Sequence, residues 1–175
     1  MRCFFAAWPS AATREALAAL SADLARRVEH RRAVRPDDLH LTLAFIGELD
    51  DANAAALSRA ADALLITPFD WQLDTIGFFG PAGVVWAGGE AITPLVELAE
   101  RLRRSLDSLK VGYDARELVP HVTLLRGAPQ FAPEPITPIV WRIDSVALYR
   151  STGSRSESIY QAGAVLTRSA FRIVI

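Results

Sequence analysis

Thiol chemistry is nearly absent from this sequence. Cys3 is the one cysteine, so the chain can form no internal disulfide, no thiolate metal cluster and no CxxC redox pair. That scarcity fits a reducing, cytoplasmic setting. An excess of charge is missing too: Lys+Arg 19 against Asp+Glu 20 leaves a net charge of −1. A histone-like or polybasic binder is excluded, and any attraction for nucleic acid must come from a local patch. The longest stretch without a charged residue, Thr75 to Gly89, is broken by Gly77, Gly80, Pro81 and Gly83 and cannot be a membrane-spanning helix. The apolar segment Cys3 to Trp8 follows Arg2 as a signal-peptide core would, but Pro9 cuts it short. No export leader and no membrane association are expected. Also lacking are HExxH, an Asp-rich cluster and a GxxxxGK[ST] loop, so no metal site and no cofactor is predicted.

What the chain does have is core material. Of 175 residues, 51% are hydrophobic and 22% charged, with a mean hydropathy of +0.19. Residues 1–175 are therefore expected to form a single domain. Residues 2–8 read as a buried strand, and Pro9-Ser10 opens a helix with Leu17, Leu20, Leu24 and Val28 on one face. In LHLTLAFIG, Leu39, Leu41, Leu43 and Phe45 alternate with His40, Thr42 and Ala44. That period of two predicts a strand with His40 and Thr42 on one face and Phe45 on the buried side. A helix capped by Asp50 or Asp51 and running through Leu65 follows, then a strand over 69–76.

The same order then repeats. VVWAG at 84–88 is an apolar strand, and Thr93-Pro94 starts a helix, with Thr93 as its cap, whose stripe is Leu95, Leu98, Leu102, Leu106 and Leu109, ending near Gly112. PHVTLLR at 120–126 places His121 and Thr123 on one strand face, and strict alternation puts Arg126 on the other unless the strand bulges. Phe4 and Val84 are 80 residues apart, His40 and His121 81 apart. Two strand–helix–strand units in near register predict a pseudo-twofold axis that brings the two HxT strands together about a shared cleft. Residues 127–138, rich in proline, read as a stiff loop, with strands near 139–149, 157–166 and 170–175 completing the fold.

Two of the three histidines occupy equivalent places, in HLTL and HVTL. Paired imidazoles can hold one neutral and one protonated form near neutrality, as needed to take a proton on one side of a reacting centre and deliver one on the other. Each threonine, about 6.6 Å further along the same strand face, can donate its hydroxyl to a phosphate oxygen. In-line cleavage of a phosphodiester suits four such groups, because the attacking and departing oxygens each need a proton partner. A strained cyclic ester requires no divalent metal. Spacing does not distinguish acid from base in such a pair.

HLTLAFIGEL at 40–49 and PHVTLLR at 120–126 resemble the two HxTx signatures of the 2H phosphoesterase superfamily, and within it the RNA 2′,3′-cyclic phosphodiesterase family, also called 2′-5′ RNA ligases. The likeness runs from the FFAAWP start to the closing strands. It implies a bilobal α+β fold with two pseudo-symmetric antiparallel sheets, outer helices and a central cleft. It also implies hydrolysis of a terminal 2′,3′-cyclic phosphate to a 2′-phosphomonoester, and 2′-5′ ligation in reverse without ATP. Carried onto this chain, His40 is the implied proton donor and His121 the proton acceptor, while Thr42, Thr123 and Arg126 are the implied phosphate-binding residues. The expected partner is RNA with a cyclic-phosphate end or a related nucleotide; a small cyclic nucleotide, or an RNA end bound without turnover, are the alternatives. Nothing demands a second subunit, and a monomer is expected. Arg26, Arg27, Arg31, Arg32 and Arg35 read either as a solvated helix end or as a track for RNA phosphates. Trp8, Trp71, Trp86 and Trp141 are assigned to the core.

Overall fold

Local signals set the ends of the helices. Ser10 caps α1 (Ala11–Arg27), its hydroxyl accepting the Thr13 amide at 3.3 Å, which satisfies one donor that the first turn leaves unpaired. Asp50 does the same for α2 (Asp51–Asp62), accepting the Asn53 amide at 2.7 Å; this helix stops at Asp62, short of the expected Leu65. In α3 (Thr93–Ser108) the capping position falls to Ile92, without a side-chain bond. The proline in the first turn, with its φ already helical, starts this helix where a Thr93 cap was expected.

The computed structural model describes residues 2–62, 64–154 and 157–161. Its strands are β1 (Arg2–Ala7), β2 (Arg32–Ala33), β3 (Leu41–Glu48), β4 (Phe69–Phe79), β5 (Val84–Gly88), β6 (His121–Arg126), β7 (Glu134–Ile143), β8 (Ala147–Ser154) and β9 (Glu157–Gln161). The fold is α+β, and the strand pairings described are antiparallel. β7 begins inside the segment read as a loop. It lies at the sheet edge, where Pro135 and Pro138 can stand without costing a central ladder its donors. The single strand expected near 139–149 is split between β7 and β8. The rest of the expected strand to 166, and the one at 170–175, lie outside the described residues.

The sheet order is β7-β4-β5-β6-β3-β1-β8-β9, with β2 paired to β6 off this path. Outward from the centre, each half is an HxT strand, then the apolar strand of its own unit, then two further strands. The two sheets expected from the sequence are hydrogen-bonded into one path, and the join is a single register pair, Leu41 with Val122. Beyond it the halves diverge, and β2 takes over as the neighbour of β6 at Arg126.

The core occupies one side of this sheet. Leu17 and Leu24 of α1, Leu57 of α2 and Leu95, Leu98, Leu102 and Leu106 of α3 join Leu41, Leu43, Val122 and Leu124 in one buried cluster. Each such leucine contributes about 1.5–3 kcal/mol through burial. Trp71 and Trp141 are buried there too, as expected. By the alternation of a strand, His40 and Thr42, and His121 and Thr123, face away from that core. On β4, Gly77 stands opposite Trp86 of β5, and a β-carbon on Gly77 would lie 2.1 Å from the indole. Glycine there lets the Trp86 ring lie across the neighbouring strand.

Candidate active site

Antiparallel register builds the centre of the site. Leu41 opposite Val122 brings the two motif strands together, and alternation turns their neighbours, His40 with Thr42 and His121 with Thr123, to the same face of the sheet. All four line one cavity of about 1050 Å³.

Both imidazoles are oriented by the same local device. His40 Nδ1 meets the Asp38 carbonyl at 2.7 Å, and His121 Nδ1 meets the Val119 carbonyl at 2.7 Å. A carbonyl only accepts, so each Nδ1 carries the hydrogen and each ring titrates at Nε2. Around the rings the halves differ. His40 stacks on Trp8, with centroids 4.6 Å apart at 10°, and on Phe4, at 5.0 Å and 25°. Trp8 is itself held by its indole N–H donating to the Asp37 carbonyl at 3.1 Å. Successive carbonyls of the short turn Pro36–Asp38 thus fix the tryptophan and the histidine it covers. His121 meets the Phe79 ring edge-on at 4.9 Å, with Trp86 tilted at 6.0 Å. Trp8 is therefore part of the site and not only of the core.

Burial among these rings lowers the pKa of His40 to about 4, against the raising effect of the Asp38 carbonyl and with the charges of Arg126 and His121 lowering it further. His121 is lowered as well, again mainly by burial, with the Val119 carbonyl opposing and Arg126 adding to the shift. In the unliganded protein both rings therefore favour the neutral form.

Arg126 acts on both histidines because a bulge turns it toward them. The β5–β6 register runs Trp86 with Thr123 and then Val85 with Leu125, so Leu124 is an extra residue and the side-chain parity inverts beyond it. The bulge on which the placement of Arg126 was conditional is present, and Arg126 lines the cavity with His121 and Thr123. The first motif bulges likewise: Phe5 pairs with Ala44 and Ala6 with Thr42, leaving Leu43 extra. Phe45, expected on the buried side, is instead 42% exposed and lines the cavity. Five residues after each motif histidine, one half presents a phenyl ring and the other a guanidinium. The signal was present in the sequence as two apolar doublets, Leu43-Ala44 and Leu124-Leu125, all four buried, which strict alternation cannot accommodate.

Arg32, Arg35, Arg103 and Arg116 also line the cavity, against Asp38, Asp114 and Glu117, so the wall as a whole favours an anion. Asp114 is tied to Arg116, whose hydrogen bonds hold its carboxyl down at about 2. Its amide donates to the Phe45 carbonyl at 2.8 Å. Among the described residues no three His, Cys, Asp or Glu side chains cluster as a metal site requires, and no helix is long and apolar enough to cross a membrane.

Residues 8–86 match the family model described as LigT like Phosphoesterase. A protein of Escherichia coli (strain K12) named RNA 2′,3′-cyclic phosphodiesterase is 33% identical over 135 residues, covering 75% of this chain and 77% of that protein. The chain belongs to the LigT-like phosphoesterase family. A Geobacillus stearothermophilus member of the same name is 30% identical over 162 residues; the match takes in 85% of this chain and 52% of that protein, so the chain spans about half its length. The crystal structure of E. coli LigT complexed with 3′-AMP superposes with a TM-score of 0.79 at 31% identity, covering 91% of this chain and 93% of that one. The crystal structure of a Thermus thermophilus protein gives 0.79 at 28% identity, covering 92% of this chain and 94% of that one.

Proposed function

We propose that this protein opens the 2′,3′-cyclic phosphate at an RNA end to a 2′-phosphomonoester, using His40 and His121 as acid and base without a metal ion. The observation that carries the reading is the pair of imidazoles in one anion-favouring cavity, each oriented by a carbonyl at Nδ1. Water loses a proton to His121 Nε2 as its oxygen bonds to phosphorus. The P–O3′ bond breaks, and O3′ takes the proton from His40 Nε2. Thr42, Thr123 and Arg126 hold the non-bridging oxygens, where charge accumulates in the transition state.

The unlike residues of the two bulges support this order of roles. Phe45 follows His40 and offers a ring face to a nucleobase, whereas Arg126 follows His121 and offers charge to phosphate. The departing O3′ belongs to the nucleoside, so its proton donor is the histidine on the Phe45 side. A 5′-hydroxyl in place of water takes the same path and joins two RNAs through a 2′-5′ bond.

The test is product analysis. A 2′,3′-cyclic oligoribonucleotide incubated with the protein and excess chelator is expected to yield a free 3′-hydroxyl and a 2′-phosphate. A 3′-phosphate, dependence on added metal, or tight binding without any product overturns the reading.

A pH dependence follows. The acid must be protonated, and its pKa in the free protein is depressed, so kcat/KM is lost as pH rises through that low value. Bound phosphate anion favours the imidazolium and raises the pKa. The descending limb of kcat is therefore expected at higher pH than that of kcat/KM, as initial rates from pH 4 to 9 will check. Coincident limbs would contradict it.

A further inference from the structure

The five arginines between residues 26 and 35 do not form a continuous basic track. Arg26 pairs with Asp23 at 2.9 Å, Arg27 with Asp23 and Glu134, and Arg35 with the buried Asp38 at 3.1 Å. The Arg31 side chain lies over Gly127, its Cγ and Cδ 2.7 Å from where a β-carbon would stand. Arg32 differs from these four. In β2 it is the direct register partner of Arg126 in β6, and both line the cavity. Residues opposed in an antiparallel pair project from the same face, so two guanidinium groups share one wall. Like charges so placed are destabilising. Among the described residues neither is within 4.0 Å of a carboxylate. The compensation that fits is an anion, and in the proposed reaction Arg126 takes the reacting phosphate beside the histidines. Arg32 stands one strand further out, about 4.8 Å, at the exposed rim.

We propose that Arg32 binds the phosphate joining the terminal nucleotide to the one before it, so that this site selects oligoribonucleotide ends over free cyclic mononucleotides. The inference rests on the cyclic-phosphodiesterase reading, and it narrows the substrate to chains of at least two nucleotides. A mononucleotide fills the Phe45 and Arg126 positions but leaves Arg32 facing Arg126 without a counter-charge. An internucleotide phosphate supplies two oxygens to the fork of the guanidinium, a geometry that lysine cannot reproduce.

Arg32→Ala and Arg32→Lys are compared with the unaltered protein on a 2′,3′-cyclic mononucleotide and on a trinucleotide with the same end. The ratio of kcat/KM for trinucleotide over mononucleotide is expected to fall about tenfold in Arg32→Ala, mainly through KM, with Arg32→Lys in between. The slope of log KM against log salt for the trinucleotide should shrink by about 0.7, the value for one phosphate neutralised on a single strand. An unchanged ratio overturns the proposal, as does an equal loss on both substrates, which would place Arg32 on the reacting phosphate. Equilibrium binding of a 2′-phosphorylated trinucleotide and mononucleotide reads the same ratio without turnover. Absence of hydrolysis would thus defeat the catalytic reading alone, whereas an Arg32-independent binding ratio would defeat this one.

Discussion

His40→Ala and His121→Ala are each expected to lower kcat on a cyclic-phosphate oligoribonucleotide by about 10²–10⁴-fold, the usual contribution of a positioned general acid or base. The double variant should lose little more than the worse single one, because in the proposed mechanism the two rings act as a unit on one in-line displacement. KM is expected to change far less, since Arg126, both threonines and the Phe45 ring remain. The linkage of stability to pH provides an independent check that a His40 variant is folded. The folded protein holds His40 below its ordinary value, from 6.5 to about 4, so the unfolded chain binds more protons in that interval. Stability is therefore full above about 6.5 and declines as pH falls toward about 4. In His40→Ala that part of the decline should disappear, a change visible in thermal unfolding curves recorded from pH 7 down to 4. Near-normal turnover in either alanine variant would end the two-histidine mechanism.

Arg126→Ala is expected to reduce kcat/KM by about 10²–10³-fold, the loss typical of removing one preorganised donor to a developing oxyanion. Arg126→Lys should recover only part of it, because an ammonium offers a point charge where the guanidinium offers a planar fork. The same substitution tests the electrostatics. The charge of Arg126 lowers the pKa of both histidines, so removing it raises both, and the limbs of the kcat/KM profile should move to higher pH. A structural role far from the phosphate would not move them. Full activity in Arg126→Ala, with an unmoved profile, would mean that the bulge at Leu124 does not bring this residue to the substrate.

Much of the site was legible in the amino-acid order. Alternation with a period of two placed His40 with Thr42 and His121 with Thr123, and their near-equal spacing predicted that the two pairs would meet. Leu41 opposite Val122 is that meeting point. The same alternation gave the wrong face for Phe45 and the conditional one for Arg126, for one physical reason. A bulge inverts side-chain parity beyond it, and whether a strand bulges is decided by its partner's register, which here comes from β1 and β5 and not from the motif itself. Trp8 was read as core because an apolar strand pattern does not say which ring ends beside a histidine.

By itself the sequence determined the α+β class, the helix start at Ser10 and the strand faces that carry the two histidines and two threonines. These follow from short-range periodicity, capping and an internal repeat. Tertiary structure alone decided that both halves share one sheet path, that Phe45 and Arg126 turn into the cavity, and which arginines are neutralised. Arg27 illustrates why: its carboxylate partner Glu134 lies 107 residues away. Pairing across such separations depends on which strands become neighbours, and no local pattern around an arginine encodes that.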